Sequence, residues 1–111
     1  MENPGLRLFG SPARTRVLLT ITLLDESYPR EVARISGVPL ASAQRIINDL
    51  ERQGVLASRL RGTQREIRLN PSYFAASELR ALLLHLSPAD APLMQAIEST
   101  RRRPRRAGKE L

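Results

Sequence analysis

The apolar positions between Pro29 and Asn70 change period twice. Val32, Ala33 and Ile35 form a short cluster. Ala43, Ile46, Ile47 and Leu50 then recur three and four apart, and Val55, Leu56, Leu60, Ile67 and Leu69 fall in two short runs around Arg61-Gly62-Thr63. Spacing of three and four marks one face of a helix, and short runs around a glycine mark a hairpin. The pattern predicts a helix from about Pro29 to Ser36 and a turn at Ser36-Gly37-Val38. A second helix is expected from Pro39 to about Gln53. Gly37 supplies the restricted turn conformation, Val38 plugs the core beneath it, and Gly54 stops the second helix from the C′ position. Gly62 supplies the unusual dihedrals at the hairpin tip.

The flanks extend the same alphabet. Ser11 suits a helix cap and Pro12 the first helical position. Val17, Leu18, Ile21 and Leu24 continue at helical spacing to about Asp25, and Leu6, Leu8 and Phe9 form an apolar lead-in. Beyond Asn70-Pro71, a helix is expected from Pro71 or Ser72 to about Leu86. Tyr73, Phe74, Leu79, Leu82, Leu83, Leu84 and Leu86 cover more than one of its faces, so it must bury more than one side. A last helix is expected from Ser87-Pro88 through Leu93, Met94 and Ile97 to about Arg101. The expected fold is mainly α with a small β-hairpin. Residues 1–10 are a lead-in, 11–70 the helix-turn-helix and hairpin, 71–100 the C-terminal helices, and 101–111 a basic tail expected to be disordered.

Composition narrows the function. A chain of 111 residues, 41% hydrophobic, has room for one modest core and no second catalytic or sensory domain. The formal net charge is +7 and the pI about 11.4, which favours an anionic partner. Much of that excess is local: residues 101–111 hold six basic residues and one acid, against twelve and ten in the first hundred. The absence of cysteine excludes disulfides and thiolate metal sites. No apolar run reaches the ~20 residues that span a bilayer, and no charged segment leads into an apolar one at the N-terminus. No membrane association is expected, and a cytoplasmic location is. Without a Gly-rich phosphate loop or a nucleophile–histidine–acid set, neither an enzyme nor a cofactor is expected.

The polar face of the second helix of the pair carries Ala41, Ser42, Gln44, Arg45, Asn48, Asp49 and Arg52. Gln and Asn can pair bidentately with adenine, Arg with guanine and Ser with either, and the Ala methyl can touch a thymine methyl. A solvated helix face contains the same residue types; the position between a turn and a basic hairpin favours the groove. In the hairpin, Arg59, Arg61, Arg65 and Arg68 crowd a short ribbon in which Glu66 is the one acid. They are expected to repel one another unless something anionic neutralises them, and phosphate contacts made by such residues would make binding salt-dependent. Charged residues also protect a free strand edge.

These segments resemble an ArsR-type, more loosely a MarR-type, winged helix-turn-helix regulator. The resemblance is carried by EVARISGV, by PLASAQRIINDLERQGV and by GTQREIRLNP, and it covers residues 11–86, about two thirds of the chain. It implies a transcriptional regulator that binds double-stranded DNA. Ala41, Ser42, Gln44 and Arg45 would face base edges, with Asn48 and Arg52 nearer the backbone. Arg61 would sit at the wing tip, with Arg59, Thr63, Arg65 and Arg68 beside it on the wing. The terminal helices of that family pair two subunits, so the resemblance implies a homodimer whose interface uses Tyr73, Phe74, Leu79, Leu83, Leu86, Leu93 and Ile97. The chain departs from the metal-sensing members: it has no cysteine and one histidine, His85, so no metal is expected. The competing expectation is a winged-helix adaptor that docks on a protein partner, since fold alone does not fix function.

Overall fold

The computed structural model describes residues 7–102. Among these residues five α-helices and a two-stranded antiparallel hairpin follow in the order α1 (Pro12–Leu24), α2 (Pro29–Ser36), α3 (Leu40–Arg52), β1 (Leu56–Arg61), β2 (Gln64–Leu69), α4 (Ala76–Leu86) and α5 (Ala91–Arg102), with a 3-10 turn at Ser87–Ala89 between the last two. This arrangement is mainly helical and compatible with a winged helix. The expectations for Leu6 and for the tail beyond Arg102 lie outside the described residues.

Helix α1 is the centre of the molecule. Ser11 caps it, its side chain accepting from the Arg14 amide, and Pro12 opens it. The expected single stripe is too narrow. Thr15, Leu19, Thr20 and Thr22 are buried along with Val17, Leu18 and Ile21, and Leu24 is only half-buried. A helix covered on nearly every side needs its polar groups satisfied from within. The three threonine hydroxyls accordingly donate to the carbonyls of Ser11, Arg16 and Leu18, four residues back. Of the lead-in, Phe9 packs against the core, whereas Leu8 is exposed.

The α2–α3 turn follows from three neighbouring residues. Gly37 ends α2 in the left-handed region (φ 77°, ψ 8°). The Ser36 hydroxyl accepts from the Val38 amide at 3.2 Å, and Val38 is buried beneath the turn. Helix α3 ends in a Schellman arrangement: the Gly54 amide donates to the Glu51 carbonyl and the Val55 amide to that of Leu50. The chain thereby reverses into β1.

Strands β1 and β2 pair in register from Leu56 opposite Leu69 to Arg61 opposite Gln64. The loop is therefore the two residues Gly62-Thr63, with Gly62 at φ 64°, the first position of a two-residue hairpin turn. On its other side β2 is bridged by Ser27, which exchanges both backbone hydrogen bonds with Ile67. The segment between α1 and α2 thus becomes a one-residue third strand and fixes the hairpin against the helices.

The C-terminal helices depart from expectation. Helix α4 begins at Ala76, not near Pro71. The Asn70 side chain accepts from the Ser72 amide and donates to the Gly54 carbonyl. Such a local side-chain bond competes with helix formation, and two turns follow it before α4 can start. Ser87-Pro88 does not open the last helix either. Asp90 takes that place, its Oδ1 accepting from the Leu93 amide. Most consequentially, Leu83, Leu93 and Ile97, expected at an interface between subunits, are buried within the chain, in one core with Val17, Ile47 and Ile67. The reason lies in α1: without α4 and α5 the apolar side chains on its far side would be left uncovered.

Candidate nucleic-acid interface

Helix α3 divides cleanly between core and solvent. Ala43, Ile47 and Leu50 are buried and Ile46 half-buried. Ala41, Gln44, Arg45, Asn48 and Arg52 are exposed, and Ser42 is half-buried at the edge of that face. The expected polar face is therefore presented as a unit. Arg45 makes no ion pair among the described residues, and no large apolar side chain of α3 is exposed.

Asp49 is the exception on this face. Its carboxylate receives Arg14 Nη2 at 2.6 Å from α1, Arg52 Nη2 at 3.1 Å and Gln53 Nε2 at 3.3 Å. The Arg14 hydrogen bond, more than Arg52, holds the Asp49 carboxyl below the usual carboxylate range. The acid that would repel a phosphate is thus already engaged, and Arg52 is partly occupied by the same acid.

The hairpin arginines separate onto two faces, because directly paired residues share a face. Arg59, Arg61 and Arg68 lie with Ala57, Gln64 and Glu66. Arg65 lies with Ser58, Leu60 and the buried Leu56 and Ile67. Carboxylates of the chain itself supply the neutralising charge for three of the four. Glu66 pairs with Arg59 at 2.7 Å and with Arg61 at 3.5 Å. Glu51, from the last turn of α3, pairs with Arg65 and accepts from the Ser58 hydroxyl at 2.6 Å. The Glu66 carboxyl is held below its usual range chiefly by Arg59, and that of Glu51 chiefly by Ser58 and then by Arg65. Arg68 is exposed and makes no ion pair among the described residues. Thr63 is exposed in the loop. Glu51 was not legible as a wing partner, because fourteen residues and a chain reversal separate it from Arg65.

Of the residues expected at a subunit interface, only Phe74 is exposed. Tyr73, Leu79 and Leu86 are half-buried against the core. What α4 leaves outside is Leu82 and Leu84, 38% and 39% exposed. His85 is exposed in the last turn of α4, and no group of three or more metal-ligating side chains occurs among the described residues. Among those residues, no helix is long and apolar enough to cross a membrane. No protein-family model matches this chain, and no curated protein matches it by sequence.

Proposed function

We propose that this chain is a winged helix-turn-helix regulator, of the ArsR-like kind its sequence resembles, that binds double-stranded DNA. Helix α3 enters the major groove and the β1–β2 hairpin lies along the adjoining phosphates. The observation that carries this reading is the exposed row Gln44, Arg45 and Asn48, backed by the buried Ala43, Ile47 and Leu50. Gln44 and Arg45 read base edges, with Asn48 nearer the backbone. Arg52 and the outward hairpin arginines position the protein on the backbone, where contacts carry no sequence information.

The pairing of Arg59 and Arg61 with Glu66 modifies the expected energetics. Phosphates must share or replace that carboxylate, so the hairpin contributes fewer released counterions than four free arginines would. Two chains reading half-sites about one DNA turn apart would meet on the outer side of α4, at Leu82 and Leu84, and not on the buried Leu83, Leu93 and Ile97.

One observation favours a second reading. Leu60, near the hairpin tip, is 75% exposed, as a docking side chain on a protein-interaction module would be. The two readings separate in a mobility-shift titration of the full chain against the DNA upstream of its own coding sequence, at two salt concentrations. A DNA-binding regulator gives a shift that weakens steeply with salt and survives competition by unrelated duplex. No shift at low salt would leave the docking reading.

A further inference from the structure

Leu60 stands next to Arg61, the last residue of β1, with three quarters of its surface in water. Four strand steps of about 3.3 Å carry it roughly 13 Å along β1 from the buried Leu56. Strand alternation puts it on the face of Leu56 and Ser58 and, across the ladder, of Arg65 and Ile67. That face is turned toward α3. Glu51, in the last turn of the helix, accepts from the Ser58 hydroxyl at 2.6 Å and pairs with Arg65.

Glu51 also fixes where that face leads. Gln44, Asn48 and Glu51 follow one another four and three residues apart, so they lie along one strip of α3. The strip runs from the exposed Gln44 through Glu51 to Arg65, and Leu60 is paired directly with Arg65. A duplex laid along this strip meets Leu60 next. The neighbours of Leu60 decide what it fits. Arg59 and Arg61 flank it in sequence, both more than half exposed, and Arg65 faces it across the ladder. A protein-docking patch needs contiguous apolar surface, and Leu60 is the one exposed large apolar side chain of the hairpin. A single leucine ringed by cations matches a narrow groove walled by phosphates. The minor groove, about 6 Å wide, is too narrow for a two-stranded ribbon and wide enough for one side chain.

Resting on the DNA-binding reading above, we propose that Leu60 is a minor-groove wedge. Its side chain enters the groove beside the site read by α3 and partly separates one base step, with its cationic neighbours against the phosphate walls. Apolar wedges of this kind unstack a step and kink the duplex by roughly 20–90°. TA and CA/TG steps open most easily. Leu60 therefore adds sequence preference at a step that no hydrogen-bonding side chain of α3 reads.

The test uses the full chain and a duplex that the parent selects from a random pool. One set of duplexes is labelled at both ends for energy transfer. A second set carries a single 2-aminopurine at successive adenines beside the selected site. The parent should raise the transfer efficiency and brighten the analogue at one flanking step. Leu60→Ala, at an exposed side chain, should lose both signals and bind about tenfold more weakly, as loss of one buried leucine less the bending it caused implies. Leu60→Phe, which keeps an apolar wedge, should retain both signals. Replacing the brightened step by an A-tract should weaken the parent about tenfold and Leu60→Ala less than about twofold, because only a wedge must open that step. Unchanged bending and brightening in Leu60→Ala overturn the wedge and leave the DNA reading standing, as does equal weakening of both proteins by the A-tract. A parent that binds no duplex at low salt overturns the two together and makes Leu60 a docking side chain for protein.

Discussion

Arg14 of α1 holds Asp49 of α3 at 2.6 Å, thirty-five residues away in sequence, and thereby fixes how the candidate reading helix sits on the central one. The pair also sets a pH dependence. Folding lowers the pKa of Asp49 from its ordinary 3.8, and those of Glu51 and Glu66 from their ordinary 4.5. Acids depressed in this way stabilise the fold above their unfolded pKa, and that contribution is lost as pH falls through the folded one. Urea midpoints should therefore hold steady above the ordinary carboxylate range and decline below it. Asp49→Asn should decline less steeply than the parent; an identical pH profile would remove Asp49 from this account.

The Glu66 contacts lead to a prediction of opposite sign from ordinary loss-of-function mutagenesis. Glu66→Gln releases Arg59 and Arg61 from their shared acid and makes two cations available to phosphates. Affinity for any duplex should rise, and the slope of log affinity against log salt should steepen by roughly one to two. Arg65→Ala, whose guanidinium is held by Glu51, should change the slope much less than Arg61→Ala. Equal slopes in all three variants would mean that the hairpin does not touch the backbone.

Asp90 links the C-terminal helix to the turn. Its Oδ2 lies 3.0 Å from Arg16 Nε, both atoms are buried, and neither makes an aligned hydrogen bond with the other or with a third group. Its Oδ1 accepts from the first turn of α5, and the Arg16 guanidinium reaches the Gly37 turn. Asp90→Ala should cost about 2–3 kcal/mol in urea unfolding, combining a lost cap with a stranded cation that retains some hydration. Asp90→Asn keeps an oxygen for the cap and should cost less than Asp90→Ala. A loss below about 0.5 kcal/mol for Asp90→Ala, the range of neutral surface changes, would show that the contact contributes nothing.

Local signals were the legible part of this chain. Ser11, Pro12, Gly37, Gly54 and Gly62 punctuate it where backbone conformation demands, and α2, α3 and the hairpin follow from them within a residue or so. Two kinds of feature were hidden. The start of α4 is delayed by the Asn70 side chain, whose partner Gly54 is sixteen residues away. The roles of Glu51, Asp49 and Leu83 depend on tertiary neighbours: a leucine bound for the core and one bound for a second subunit have the same periodicity. The exposed face of α3 was readable because amphipathic spacing separates its two sides; the engagement of Asp49 and of the hairpin arginines was not.

That ambiguity makes the oligomeric state informative. Light scattering on the full chain should give twice the 12.4 kDa chain mass. Leu82→Ser combined with Leu84→Ser should restore the single mass without unfolding, since both side chains are partly exposed. A single mass for the parent at tens of micromolar would contradict pairing and make the reader of DNA a monomer.

The central claim is that α3 reads base edges, and fluorescence anisotropy with a duplex selected by the parent tests it most directly. Gln44 and Arg45 are exposed and belong to no part of the core, so their replacement by alanine leaves the fold in place. Losing a bidentate base contact costs roughly 1–3 kcal/mol. Gln44→Ala and Arg45→Ala should therefore each bind the selected duplex about ten- to a hundredfold more weakly. Gln44→Ala, which removes no charge, should bind unrelated duplex nearly as well as the parent. Undiminished affinity and selectivity in both variants would contradict the account and turn α3 into a docking surface for protein.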